Sequence, residues 1–351
     1  MPIRGKAQPF CTPLCPIYTA KKTEYIKVIG VIKMNVLTTF LNALPGNVSQ
    51  GLIWGILAIG VFITYKILDF ADLTVDGSIG TGGAVAVMLI TVYDCPIWLA
   101  LLCAFAAGCL AGLVTGLFNT ALGIPGILAS ILTQLALYSI NLDIMGQSNR
   151  PVSVDKYPLV VSARYAVPAM IKSTLIVAVI IAILYWFFGT EYGFTIRATG
   201  CNQNMARAQG ISTKKSTVIA LVLSNGLVGL SGGLLSQYQG FADVNMGRGA
   251  IVIGLAAVII GDVLGSVIFR SKFNFVAKLA FTAIGAIIYF LVLQIVMLLG
   301  LPSANNKLFS AIVVAVFLAV PYLRNSAKTS FKRAAKNAAA EKAVKGDVNN
   351  A

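Results

Sequence analysis

Repeated apolar runs of about 20 residues are the feature that most limits what this chain can fold into. Such a run is typical of a helix that crosses a lipid bilayer, where every backbone N–H and C=O must be paired inside the protein. The chain is 58% hydrophobic and only 11% charged, whereas soluble domains carry about 25% charged residues. We therefore predict an all-α polytopic membrane protein with about eight or nine transmembrane segments. The apolar segments are 51–68, 79–92, 97–118, 127–144, 169–188, 217–238, 250–269, 276–299 and 308–322.

Much of the net charge of +15 lies at the two ends of the chain. Basic residues beside membrane spans set orientation, because loops rich in Lys and Arg stay in the cytoplasm. We therefore expect the basic loop at 190–215 and the basic C-terminal tail to be cytoplasmic, and the N-terminus to be outside. The loop at 146–168 is then external, although it contains Arg150, Lys156 and Arg164. The chain has no basic face with interleaved aromatic residues, so we expect no nucleic-acid partner.

Composition divides the chain into three parts. Residues 1–33 contain several prolines, two cysteines and most of the early charge, and they lack the apolar region and cleavage site of a signal peptide. Met34 opens an uncharged stretch that leads into the first span, so we hypothesise that Met34 is the natural start and that 1–33 is an upstream extension. We assign residues 34–323 to the membrane domain and residues 324–351 to a basic cytoplasmic tail.

The tripeptide Phe-Ala-Asp occurs twice, at 70–72 and 241–243, each time before a short Gly-rich apolar segment. Five predicted crossings separate the copies, so they face opposite sides of the membrane, as in an inverted-topology repeat. Non-helical backbone at membrane depth is tolerated only where it is buried in protein or lines a water-filled cavity. We therefore predict broken or re-entrant helices along a translocation path. The candidate path residues are Asp72, Thr74, Asp76, Ser78, Asp243, Asn245 and Arg248.

Three alternatives stay open for these segments. The glycines would serve only close helix packing if the acids lie in interfacial water. Arg248 is placed either to meet a substrate carboxylate or to pair with Asp243 across a turn. Asp262, inside an apolar stretch, is either a functional intramembrane acid or an acid near a helix end.

The chain contains no His, which removes the commonest general base and the commonest metal ligand. Cys11 and Cys15 form a C-x3-C pair without a second pair, and Cys103 and Cys109 are most simply small buried hydrophobes. The acids are scattered, whereas acid–base catalysis or metal binding needs them clustered. We expect no enzyme activity, no bound metal and no cofactor.

The segment 191–215, EYGFTIRATGCNQNMARAQGISTKK, is polar but unlike a flexible linker. Asn202 is a candidate N-cap and Gly210 suits a helix end. We predict one short helix at about 203–209 on the cytoplasmic membrane surface, with Arg207 beside an apolar face that is suited to docking a partner. The residues of that apolar face are Met205, Ala206, Ala208 and Ile211.

The spacing of glycines and polar residues in this loop is specific. The pattern consists of Gly193, Arg197, Gly200, Asn202, Ala206, Gly210 and Ile211. It resembles the coupling loop of ABC-importer permeases of the branched-chain amino acid and ribose type, and 223–234 resembles the next span of that family. Residues 67–78 are similar to a narrower branch, whose permeases work with lipoprotein-type binding proteins for amino acids, including aromatic ones. The resemblance covers about 34–323.

The resemblance implies the permease subunit of an importer in the bacterial inner membrane, surrounded by lipid. Two copies would form a central pathway, the 190–215 loop with Arg207 would dock on a separate ATPase that binds ATP, and an extracytoplasmic binding lipoprotein would deliver a small solute, with amino acids as the leading class. The chain has no G-x-x-x-x-G-K-[ST] phosphate loop, in keeping with a separate ATPase. The alternative is a secondary transporter driven by an ion gradient, which inverted repeats and membrane acids fit equally well.

Overall fold

A computed structural model describes residues 16–268, 274–298, 308–317 and 319. The chain divides into two units, Met1–Ala43 and Leu44–Ala351. In the first unit the described residues, 16–43, are helical. The second unit is a bundle of apolar helices, which confirms the predicted polytopic all-α class. The tail at 324–351 and residues 1–15 of the predicted extension lie outside the described residues.

Seven helices of the described chain are long and apolar enough to cross a membrane, and α2 and α11 are shorter apolar helices. This agrees with the eight or nine predicted segments. The helices are α1 (Pro16–Phe62), which continues into a π-helical turn (Ile63–Ile67), α2 (Val75–Thr91), α3 (Ile97–Thr120), α4 (Gly126–Met145), α5 (Ala166–Phe188), α6 (Glu191–Cys201), α7 (Gln203–Ala208), α8 (Thr213–Gln239), α9 (Ala250–Ile268), α10 (Phe275–Leu298) and α11 (Leu308–Phe317).

Proline and glycine set several helix boundaries. The prolines Pro96 and Pro125 come directly before α3 and α4, where the missing N–H costs no intrahelical bond. Gly146 and Gly240 end α4 and α8 in the left-handed conformation, with φ of +67° and +81°. These residues explain why the predicted starts of α3 and α4, and the predicted ends of α4 and α8, agree closely with the observed ones.

The first span begins earlier than the predicted start at residue 51. The membrane-compatible helix runs from Thr38 to Ile67 and passes through Pro45 without interruption. The Ser49 hydroxyl donates a hydrogen bond to the Pro45 carbonyl at 2.8 Å. Transmembrane helices tolerate an internal proline because neighbouring groups satisfy the backbone around it. Pro45 therefore does not end the helix.

Two short strands form a small exception to the helical architecture. The strands β1 (Asn149–Pro151) and β2 (Phe241–Asp243) pair antiparallel, with Arg150 opposite Ala242. The second Phe-Ala-Asp copy is therefore a strand, which the sequence did not predict. Three-residue strands carry almost no periodicity, and this pairing joins segments distant in sequence, so the helical pattern alone gives no sign of it.

Helices α1 and α8 lie at the centre of the bundle. In the most apolar part of each helix, 83% and 72% of the residues are buried, compared with 28–33% for α3, α4 and α5. The α3–α8 contact is close because glycines face each other: a Cβ on Gly229 would lie 2.5 Å from the Ala104 carbonyl oxygen and 3.0 Å from the Gly108 Cα atom. Gly82 of α2 packs on Gly229 in the same way. Close packing therefore accounts for these glycines.

The two halves share packing features that an inverted repeat predicts. Helix α2 packs against α3 and α8, whereas α9 packs against α10 and, through Gly254, against Leu57 and Val61 of α1. Each Phe-Ala-Asp copy closes the same turn: Asp72 Oδ1 accepts the N–H of residue 74 at 2.9 Å, and Asp243 Oδ1 accepts the N–H of residue 245 at 2.7 Å. The turns lie towards opposite ends of α8.

A side chain at Gly229 should destabilise the bundle. Gly229→Val places methyl groups on the Ala104 and Gly108 backbone, and overpacking of this kind costs about 1–3 kcal/mol. The expected result is a lower melting temperature and a lower monodisperse yield in detergent. Ala136→Val, on the exposed side of α4, is the matched control and should leave both unchanged. Equal melting curves for the two variants would contradict the packing assignment.

Candidate functional site

The short helix predicted in the coupling loop is present as α7. The side-chain oxygen of Asn202 accepts the N–H of Asn204 at 3.0 Å and that of Met205 at 3.1 Å. Gly210 follows the helix with φ of +78°, and its N–H donates to the Arg207 carbonyl. Both predicted end signals are therefore confirmed.

The loop contains a second helix, α6, where the sequence predicts only one. Its glycines and β-branched residues favour a helix weakly, so packing must hold it in place. Ile196 is fully buried, and Gly193 lies against the backbone of Phe188. A Cβ on Gly200 would overlap the Ile67 carbonyl, so α6 rests directly on the π-helical turn that ends α1.

Arg197 fastens α6 to two long helices. Its guanidinium donates to the Phe188 carbonyl at 2.7 Å, at the end of α5. The same group stacks over the Phe275 ring, 4.7 Å from its centroid, at the start of α10, and over the Phe194 ring at 5.5 Å. A cation over an aromatic face is attracted by the ring quadrupole. The loop is therefore a packed part of the bundle, which a flexible tether would not be.

The predicted apolar face of α7 is split between two sides. Ala206 is buried at 3% exposure and Ile211 is half-buried, whereas Met205 is 64% exposed and Ala208 is also exposed. Arg207 is exposed too, and its Nε donates to the Thr213 hydroxyl at the start of α8. We call Met205, Arg207 and Ala208 the α7 surface.

Three of the predicted path residues belong to a buried hydrogen-bond network instead. Asp72 is 2% exposed, and its Oδ2 accepts from Asn225 Nδ2 of α8 at 2.7 Å. Ser78 donates to the Asn225 side-chain oxygen at 2.7 Å, and the Thr74 and Thr115 hydroxyls lie 2.8 Å apart. A satisfied polar network of this kind specifies a unique core arrangement. The structure therefore places Asp72, Thr74 and Ser78 in the bundle core.

Asp76 joins the starts of α2 and α9. It lies in the first turn of α2, and its carboxylate accepts the N–H of Gly249 at 3.0 Å and that of Ile251 at 2.8 Å, at the start of α9. Gly247 packs on the Asp76 backbone so closely that a Cβ would overlap it. The first amides of a helix lack intrahelical partners, and a carboxylate there is also favoured by the helix dipole.

A cavity of about 390 Å³ lies beside this junction, between α2, α4 and the turn before α9. We call it the α2–α4 cavity. Leu135 and Tyr138, which are 65% and 44% exposed, place its opening on the outer face of α4. The structure brings three predicted path residues together here. The polar lining residues are Asp76, Gln134, Tyr138, Asn141, Asn245 and Arg248.

Asp243 lies apart from this cavity. Its second oxygen accepts from Asn149 Nδ2 at 3.4 Å, across the two-stranded sheet. Arg248 forms no ion pair with it, because the ion pairs among the described residues are Lys66–Asp262 and Arg164–Asp155. The alternative in which Arg248 pairs with Asp243 is therefore wrong.

Asp262 is paired with a neighbouring helix end. Its carboxylate lies 2.9 Å from the Lys66 ammonium, and both side chains are roughly half exposed, at 40% and 47%. The pair ties α9 to the π-helical turn that follows α1. It is a contact between halves of the bundle, and Asp262 itself lies inside α9 rather than at its end.

The acids and cysteines are scattered over the part of the chain that the structure describes. No three His, Cys, Asp or Glu side chains are grouped there to hold a metal ion. Cys95, Cys103, Cys109 and Cys201 are free. Cys103 and Cys109, which were expected to be small buried hydrophobes, are partly buried.

Comparison with known proteins decides the class. Residues 46–321 match the family described as "Branched-chain amino acid transport system / permease component". The chain is also 38% identical over 280 residues to a tyrosine transport system permease protein of Clostridioides difficile (strain R20291), covering 80% of this chain and 92% of that protein. The chain belongs to this permease family. It is a multi-pass protein of the bacterial inner membrane and a transport component, so it is not an enzyme.

The names of other relatives do not agree on one substrate. An uncharacterized protein of Rickettsia prowazekii (strain Madrid E) is 33% identical over 291 residues, covering 81% of this chain and 97% of that protein. A fructose import permease protein of Bifidobacterium longum (strain NCC 2705) is 29% identical over 273 residues, covering 76% and 74% of the two chains. The permease is therefore a component of an ABC transporter for small solutes, and such systems in general include an ATPase and a substrate-binding protein.

Three lining residues of the α2–α4 cavity on α4 were missed as site residues. Gln134, Tyr138 and Asn141 follow each other at spacings of four and three, which puts them on one helix face. The spacing was a signal present in the sequence, since a polar stripe on an otherwise apolar span is unusual.

Loss of the α7 cap should loosen that helix alone. Asn202→Ala removes the acceptor for two backbone N–H groups, which costs about 1 kcal/mol, or roughly a fivefold rise in local opening. Hydrogen exchange of the amides at 204 and 205 should accelerate by this factor. Asn204→Ala, at an exposed position next to the cap, is the control. Equal acceleration in both variants would show that the Asn202 side chain does not cap the helix.

Proposed function

We propose that this permease is the transmembrane subunit of an ATP-driven importer of amino acids. ATP binds to a separate ATPase subunit, and the chain itself carries no cofactor. An extracytoplasmic lipoprotein delivers the substrate, and two copies of the chain enclose the pathway, since most homo-oligomers have closed symmetry. The observation that carries the proposal is a capped, exposed α7 held on a rigid α6.

The α7 surface is the docking site for the ATPase. Met205 and Arg207 project from a helix whose start is fixed by its cap and whose base is fixed by buried Ala206. Arg197 and Gly200 hold α6 against α5, α10 and the π-helical turn, so a displacement of the loop moves these elements with it. Switching access in this way needs packed elements that move as rigid bodies. The chain lacks a phosphate loop, so the energy comes from the partner.

Amino acids are the proposed substrates because the tyrosine permease of Clostridioides difficile is 38% identical to this chain, and the match covers 92% of that protein. The fructose permease is less similar, at 29% identity over 74% of its length. The predicted path residues Asp76, Asn245 and Arg248 line a charged, polar cavity, which suits a zwitterion better than a neutral sugar.

Transport in proteoliposomes tests the proposal. Proteoliposomes that contain the permease, its ATPase and its binding protein should accumulate labelled L-tyrosine only when ATP is present on the side of the membrane that carries the ATPase. A protonophore should leave the rate unchanged. Uptake by the permease alone that stops when the ion gradient collapses would establish a secondary transporter instead.

A negative charge on the α7 surface should separate the permease from its ATPase. Met205→Glu and Arg207→Glu change exposed side chains and leave the bundle core intact, so co-purified ATPase should fall by roughly tenfold or more. Arg164→Glu changes an exposed arginine in the loop between α4 and α5 and is the control. Unchanged association in both α7 variants would remove the docking assignment. Ala206→Trp is unsuitable, because Ala206 is buried and the bulk would distort the loop.

A further inference from the structure

Two residues that line the α2–α4 cavity have side-chain oxygens that the bundle leaves without hydrogen-bond partners. Asn141 is 1% exposed, and its Nδ2 donates towards the Gly77 carbonyl at 3.5 Å, which assigns Oδ1 as the free atom of the amide. That Oδ1 accepts no hydrogen bond, and neither does the buried Oδ1 of Asn245. A buried acceptor left unsatisfied costs about 1–3 kcal/mol. Both residues line the cavity, so a donor-rich ligand there would remove this cost.

The cavity also contains one charge of each sign. Arg248 is exposed at the lining and forms no ion pair among the residues that the structure describes. The Asp76 carboxylate is oriented by two backbone N–H groups of α9, one on each oxygen. A carboxylate offers about four lone-pair positions, so two remain for a further donor. The site therefore has an uncommitted cation and an anion with spare acceptor capacity.

Together these groups match one chemical fragment. An α-ammonium group has three N–H donors, and three residues that line the cavity, Asp76, Asn141 and Asn245, have side-chain oxygens with hydrogen-bonding capacity to spare. A carboxylate is the anion that a planar guanidinium binds best, through two parallel hydrogen bonds. A neutral sugar would supply donors for the amide oxygens and leave the charge of Arg248 unmatched.

We propose that the α2–α4 cavity is a binding site for the head group of an α-amino acid, with Arg248 taking the carboxylate and Asp76, Asn141 and Asn245 taking the ammonium group. The inference rests on the proposed function, because it names the part of the substrate that the permease itself reads. The side chain of the substrate lies towards Tyr138 and Leu135 at the opening on α4. The permease then selects a class of solute in addition to passing what the binding protein delivers.

The test is a binding measurement on the full-length permease in nanodiscs, without ATPase or binding protein. The probe is labelled L-tyrosine, with unlabelled L-leucine, tyramine, 4-hydroxyphenylpropionate and fructose as competitors. Both amino acids should compete. Tyramine lacks the carboxylate and 4-hydroxyphenylpropionate lacks the ammonium group, so each should bind roughly tenfold or more weakly. Fructose should not compete.

Variants assign the two ends of the ligand. Arg248→Gln should weaken L-tyrosine binding roughly tenfold and leave the affinity for tyramine unchanged, while Arg248→Lys keeps part of the affinity. Asn141→Leu should weaken L-tyrosine and leave 4-hydroxyphenylpropionate unchanged, a split that a misfolded protein would not give. Arg164→Gln, an exposed arginine paired with Asp155, is the control. Equal melting temperatures exclude unfolding as the cause.

Three results would overturn the site: no saturable binding of L-tyrosine, competition by fructose equal to that by L-leucine, or an unchanged affinity in Arg248→Gln. Each is independent of how transport is driven, because no ATPase is present. Ion-driven uptake would sink the proposed function and leave the head-group site standing. If uptake is driven by ATP but the isolated permease does not bind amino acids, the proposed function stands and the head-group site is wrong.

Discussion

The bundle depends on the contact in which Asp76 of α2 accepts the first amides of α9. Helices that begin inside a membrane protein expose backbone N–H groups with no water to satisfy them, which costs several kcal/mol per group in hydrocarbon. One carboxylate meets two of these donors and carries the charge that the dipole of α9 favours. Since α2 belongs to the first half and α9 to the second, this contact also fixes how the halves meet.

Helix α9 connects that junction to the loop at the other end of the bundle. Its start is held by Asp76, and Asp262, further along it, pairs with Lys66 of the π-helical turn. The neighbouring residue, Ile67, carries the backbone on which Gly200 of α6 rests. Directly packed elements therefore connect α6 to the α2–α4 cavity. A π-helical turn at such a position fits the frequent use of these turns at functional sites.

The sequence predicted the features that rest on local rules. Apolar length gave the spans, and Asn202 and Gly210 gave both ends of α7, because caps act within a few residues. The sequence did not predict the features that depend on contacts between residues far apart in the chain. Helix α6 forms on Ile67 and Phe188, and β1 pairs with β2 across the long stretch of chain from α4 to α8. Neither contact leaves a trace in periodicity, so only the folded chain reveals it.

Distant contacts also divide six of the seven polar residues chosen from sequence. Asp72, Thr74 and Ser78 look identical in kind to Asp76, Asn245 and Arg248, since all are polar and lie beside a Phe-Ala-Asp turn. The first three meet partners in α8 and α3, and their hydrogen-bonding capacity is used inside the bundle. The second set keeps hydrogen-bonding capacity for a ligand. Arg248 has an unpaired guanidinium, Asp76 has spare lone pairs, and the amide oxygen of Asn245 has no donor. A polar residue within an apolar span needs hydrogen-bond partners. Only the hydrogen-bonding capacity that the protein leaves unused separates a ligand site from a well-packed core.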